Sequence, residues 1–165
     1  MNNIVITCLL FCFLLSCSND DSDSKIVGTW QLTTRTVGVT FDVNNDNTYN
    51  DNLLEVVDCN DSEILTFSAD GTVSSGNEFP KDIIYFKYNN SDYYGLQVEC
   101  NQDGLISFAS EYKEVAADTI MILNQNYYID ADTLTTVYDN AITIYSEDLT
   151  SVIETRDLTL IYTKK

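Results

Sequence analysis

Histidine is absent from these 165 residues. That removes imidazole general bases, histidine-dependent catalytic triads and the usual zinc ligand set. Basic residues are scarce: eight Lys and Arg stand against 26 Asp and Glu, a formal net charge of −18. So acidic a surface repels phosphate backbones, which argues against nucleic acid as a partner, and it repels anionic lipid head groups too. No apolar run reaches the ~20 residues that a membrane-spanning helix needs. Proline occurs once, at Pro80, in what reads as a loop. No long stretch carries a helical period. What fills the chain is alternation.

The longest apolar run, residues 4–16 (IVITCLLFCFLLS), lies near the N-terminus and stops at Cys17. Its length suits the apolar core of a secretory signal. The border Leu14-Leu15-Ser16-Cys17 resembles the lipobox of bacterial lipoproteins, with an apolar residue three before the cysteine and a small one directly before it. The resemblance implies a signal peptide over residues 1–16 and a lipidated Cys17 as the mature N-terminus; an ordinary secretory signal with an incidental cysteine is the alternative. Several acyl chains, at about 0.8 kcal/mol per buried methylene, hold far more firmly than one. The run after Cys17, SNDDSDS, has no apolar residue to pack, so residues 17–25 read as an acidic flexible tether. It also resembles the acidic motif that sends some Gram-negative lipoproteins to the cell surface, and a plain spacer is the alternative. The expected location is the outer membrane, with the face left open.

Without the leader about 149 residues remain, enough for one domain with a core. Cys8 and Cys12 leave with the leader and Cys17 takes lipid, so Cys59 and Cys100 are left. An even pair in an exported chain reads as one disulfide, with two free buried thiols as the alternative. In KIVGTWQLTT, residues Ile26, Gly28, Trp30 and Leu32 share one face of an extended strand. Leu65 and Phe67 precede Asp70-Gly71, a strong hairpin signal. Asp103-Gly104, Asn124-Gln125-Asn126 and Asp139-Asn140 read as further turns between alternating runs. The last run puts Val152, Glu154, Arg156, Leu158, Leu160 and Tyr162 on one face. The expectation is all-β and antiparallel, with about eight to ten short strands and a brief helix within residues 51–57.

Gly28-Thr29-Trp30, then Thr66-Phe67 through Thr72, then Thr159 through Lys164 follow an order that resembles the lipocalin-like domains of small Gram-negative lipoproteins. The resemblance covers residues 25–165 and implies an up-and-down β-barrel over 26–165. It also implies that Trp30, with Gly28, plugs the closed end of the barrel, with Arg156 as the candidate cation stacked over it. Ordinary core for Trp30 and a surface charge for Arg156 are the alternatives. An eight-stranded barrel has room for side chains or one small ligand.

Asp42, Asn44, Asp46, Thr48 and Asn50 place an oxygen at every second residue, as a calcium loop does. The match fails later: Asn47 stands where glycine is usual and Leu53 where a bidentate Glu should close the sphere, leaving Asp51 or Glu55 as substitutes. Glu99, Glu111 and Glu154 lie within strands, but nothing pairs them as hydrolytic chemistry requires. Aromatic residues crowd the stretch from Tyr85 to Tyr145, where they suit pocket walls or half-buried strands. The sequence therefore points to a lipid-anchored, non-enzymatic barrel without a required cofactor. It would bind a small apolar or amphipathic ligand. A protein-interaction module with a filled interior is the alternative.

Overall fold

The computed structural model describes residues 24–43, 48–57, 59, 63–76, 81–100 and 107–165. Residues 1–16, Cys17 and most of the acidic tether lie outside them, as do Asn44, Asp46 and the Asp103-Gly104 pair.

Ten strands and one helical turn form in chain order: β1 (Gly28–Thr36), α1 (Leu53–Val56), β2 (Ile64–Phe67), β3 (Thr72–Gly76), β4 (Lys81–Lys87), β5 (Tyr94–Cys100), β6 (Ala109–Ala116), β7 (Thr119–Ile122), β8 (Gln125–Asp130), β9 (Thr133–Ser146) and β10 (Val152–Lys164). Eight of them close on themselves in the order β10-β1-β2-β3-β6-β7-β8-β9, with β9 returning to β10. Every pairing inside that ring is antiparallel. The chain is an all-β closed antiparallel barrel. The hairpins turn where short-range chemistry demands it: Gly71 takes φ +87°, and Leu123 and Asn124 (φ 48° and 69°) make the two-residue primed turn that matches strand twist.

Alternation fills the barrel. Trp30 and Leu32 of β1, Leu65 and Phe67 of β2, Val73, Ile120, Ile122, Ile129, Leu134 and Tyr162 point inward and are buried together. At one end the interior is sealed. The Trp30 indole N–H donates to the Ile26 carbonyl at 2.7 Å, and the Lys164 ammonium lies 5.4 Å above the ring while donating to the Lys25 carbonyl. Gly28 permits this closure. Its φ is +126°, and a Cβ there would press on the Lys164 side chain at 3.3 Å. Lys25 pairs with Asp118 at 3.0 Å and the Ser24 hydroxyl donates to Glu114 at 2.6 Å, so the last two residues of the expected tether are docked on the sealed base.

The other end carries an annex. β9 and β10 run on past the barrel, and β4 pairs in parallel with the far half of β9 through Tyr85, Phe86 and Lys87. β5 flanks β4, and the Phe86 ring packs against Gly95, where any side chain would collide. A second small core of Val37, Phe41, Leu53, Val57, Tyr85 and Ile144 fills the annex. The Cys59–Cys100 disulfide, with Cα atoms 5.4 Å apart, ties the end of β5 to the chain approaching β2.

One expected turn is absent, and one expected hairpin does not form. Asp139-Asn140 does not separate strands: β9 continues through it, because three residues of β9 (139–141) lie opposite Asp157 alone in β10. Asn140 has φ 50°, and its backbone N–H donates to the Asp157 carboxylate at 2.8 Å. A left-handed Asn suits a bulge as well as a turn. The runs on either side of Asp103-Gly104 do not form a hairpin either, since β5 pairs with β4 and β6 with β3. Local turn chemistry does not choose the partner of a strand.

Candidate functional site: the barrel mouth

At the annex end, β1 breaks register. Leu32 faces Tyr162, but Thr34 faces Ile161 and Arg35 faces Leu160, so one extra residue is accommodated between them. Strict alternation would turn Arg35 outward with Thr33. The bulge turns it inward, beside Leu160. The Asn52 side chain occupies the gap the bulge leaves: its Oδ1 accepts from the Arg35 backbone N–H at 3.0 Å, and its Nδ2 donates to the Thr33 carbonyl at 3.0 Å. The same Oδ1 accepts from Leu54 N–H at 3.2 Å, capping α1. One amide thus caps a helix and stands in for a missing strand. Asn52→Ala is expected to lose about 2 kcal/mol in a urea titration, combining an N-cap loss of ~1 kcal/mol with stranded backbone groups. A change below about 0.5 kcal/mol would show that the clamp is idle.

Below Arg35 lies a recess of ≈ 300 Å³ lined by Arg35, Glu63, Phe108, Tyr127, Tyr138, Ala141, Leu158, Leu160 and Tyr162. Its walls come from β1, β8, β9 and β10 and from the residues leading into β2 and β6. Its size is at the small end of ligand pockets, which run from roughly 300 to 1,000 Å³.

The recess has two electrical sides. On one, the Tyr162 hydroxyl donates to the buried Glu63 carboxylate at 2.8 Å, and the Tyr127 and Tyr138 hydroxyls lie 3.1 Å apart in a shared hydrogen bond. Burial pushes the Tyr162 hydroxyl far above the ordinary tyrosine value, and the Glu63 charge adds to the shift. Burial does the same to Tyr127, helped by its bond with Tyr138. On the other side stands Arg35. Its Nε is buried without a hydrogen-bond partner, and so is the Tyr85 hydroxyl. Burial raises the Tyr85 pKa while the Arg35 charge opposes that rise, so the guanidinium acts electrically on the annex core.

The expected residues fall in several places. Trp30 and Gly28 are together at the sealed base, but the cation over Trp30 is Lys164. Arg156 lies at the annex end, 5.7 Å above the Tyr94 ring, and its Nη2 donates to Glu154 at 3.0 Å. The reason is positional: β10 runs from annex to base, so Arg156 is eight residues from the strand's base end while Lys164 is its last residue. Tyr94 also donates to Glu154 at 2.9 Å; burial opposes the shift, yet these bonds hold the Glu154 carboxyl below its usual range. Of the expected calcium ligands, Asp42 and Thr48 are described and Asn44 and Asp46 are not. Asn50 is committed elsewhere: it exchanges backbone bonds with Phe41, and its side-chain amide donates to Glu55. Among the described residues no cluster of three or more His, Cys, Asp or Glu could hold a metal.

Glu99 and Glu111 are exposed; the inward carboxylate is Glu63. A signal for it exists, since Glu63 stands in phase with Leu65 and Phe67. Arg35 has no such signal. Comparison of the chain with family models, with curated proteins and with solved structures finds no match, so the reading rests on this geometry.

Proposed function

We propose that the protein is a lipid-anchored envelope protein that binds a small amphipathic molecule in the mouth of its barrel and catalyses nothing. The observation that carries this reading is the ≈ 300 Å³ recess, which combines apolar walls at Leu158, Leu160 and Phe108 with polar groups at Arg35, Glu63 and the tyrosine hydroxyls. Apolar walls with a few placed polar groups are the common form of a small-ligand site. The single buried carboxylate among the described residues faces a tyrosine, whereas carboxylate-pair hydrolysis needs two acids across a cleft.

The base supports an orientation. Ser24 is docked at the sealed end, seven residues from Cys17, and seven residues span at most about 25 Å. An acyl anchor on Cys17 of an outer-membrane lipoprotein would therefore hold the base toward the bilayer and leave the mouth facing away. A protein-interaction module is the second reading, favoured by the packed lower barrel and by exposed Tyr93 and Val152 at the annex end.

Native mass spectrometry of the domain purified from its own envelope separates the two. A reproducible small-molecule adduct is expected. Bare protein that co-purifies with another polypeptide would overturn the ligand reading.

A further inference from the structure

The scarcity of cations makes each one's employment informative. Lys25 pairs with Asp118, Lys87 with Asp92 and Arg156 with Glu154, and Lys164 covers Trp30 while bonding the Lys25 carbonyl. Arg35, like the exposed Lys113 and Lys165, forms no ion pair among the described residues, but it belongs to the recess lining and they do not. It is turned into the recess by a bulge that Asn52 holds in place. A buried guanidinium nitrogen without an acceptor costs stability, as does any buried donor left unmade. A second group beside the annex core, the Tyr85 hydroxyl, is left in the same condition. Tyr85 belongs to the annex core, so it is the Arg35 nitrogen, on a residue of the recess lining, that calls for an acceptor oxygen there.

The rest of the recess narrows the class. Glu63 shares the lining and accepts from Tyr162, two residues along β10 from the Leu160 that faces Arg35, so an anion is favoured only at the Arg35 end. Leu160 faces Arg35 in register and Leu158 lies two residues farther from Tyr162 on β10, a short apolar path leading away from Glu63. A carboxylate matches a guanidinium through two oxygens, and a single negative charge is repelled less by the acidic surface than a doubly charged phosphate.

We infer that the ligand of the barrel mouth is a short-chain amphiphile with one carboxylate, its head on Arg35 and its chain along Leu158 and Leu160. This rests on the proposed function and names the ligand class for the same recess. Arg35 acts as the head-group residue, and Asn52 positions it.

The test displaces the neutral fluorophore N-phenyl-1-naphthylamine from the soluble domain with decanoate or decan-1-ol at neutral pH, below micelle-forming concentrations. Decanoate is expected to compete at least tenfold more effectively than decanol. Arg35→Gln should erase that preference while still binding the fluorophore, which also reports that the recess has formed; Arg35→Lys should keep most of it. Equal competition by the two compounds, or a preference that survives Arg35→Gln, overturns the carboxylate inference and leaves the recess reading standing. Failure of the fluorophore to bind the wild-type domain overturns both.

Discussion

Replacing both disulfide cysteines, as Cys59→Ser with Cys100→Ser, is expected to lower stability by about 3–4 kcal/mol. The bridge closes a loop across a sequence separation of 41 residues, and removing such a constraint frees the unfolded chain by roughly that amount in the chain-entropy account. For a domain of this size each kcal/mol moves the thermal midpoint by roughly 2–4 °C, so the midpoint should fall by about 10 °C. Cys59 is fully buried beside Val57 and Phe41, so a serine hydroxyl there adds its own cost. Reducing the wild-type protein separates the contributions, because a free thiol packs where a hydroxyl does not. Scanning calorimetry of both samples is the measurement. A midpoint within 2 °C of the oxidised protein would mean that the annex is held by its apolar core alone.

Alkaline pH should unfold the domain cooperatively. Tyr127 and Tyr162 face the barrel recess and Tyr85 lies in the annex core; burial raises the pKa of all three. An unfolded tyrosine releases its proton near pH 10. Above that pH the unfolded chain binds fewer protons than the native one, so stability falls as pH rises. The contribution is complete below about pH 10 and is lost on the way to the folded values. Each tyrosine that stays protonated removes about 1.4 kcal/mol per pH unit, about 3 kcal/mol per unit for Tyr127 and Tyr162, which burial shifts most. Against a typical total of about 5–15 kcal/mol, unfolding is expected from roughly pH 12 upward. Tyrosinate absorbance recorded with circular dichroism should show the buried residues titrating only with loss of the β signal. Tyr162→Phe should remove one proton from that step. Smooth titration of all 11 tyrosines near pH 10 would contradict the buried network.

Much of the barrel is visible in the residue pattern, and the reasons are local. Ile26, Gly28, Trp30 and Leu32 alternate because one face must be buried, and Asp70-Gly71 marks its hairpin because Gly71 takes a positive φ. The Cys59–Cys100 bridge follows from having two cysteines left. Pairing across the chain is less visible: β4 and β5 look like two more meander strands, yet they leave the ring, β4 pairing in parallel with β9 and antiparallel with β5, to build the annex. The site is hidden for a related reason. Thr33 and Thr34 contain no glycine or proline to announce a bulge, and the inward turn of Arg35 depends on an amide 17 residues away, at Asn52. Asn140 does announce an irregularity, but its left-handed backbone serves a bulge that keeps β9 continuous. The phase of Glu63 with Leu65 and Phe67 is a legible signal, passed over in favour of Glu99, Glu111 and Glu154.

The annex end also exposes apolar surface: Tyr49 and Tyr93 stack with ring centroids 5.4 Å apart, and Val152 and Ile153 are about half exposed. The most direct test of the account therefore asks where a ligand goes. Two-dimensional NMR of the labelled domain, titrated with N-phenyl-1-naphthylamine, reads this residue by residue. Shifts concentrated at Ala141, Leu158, Leu160 and Phe108, with the Trp30 indole signal unmoved, are the predicted result. Shifts at Tyr49, Tyr93, Val152 and Ile153 with a silent barrel interior would contradict it.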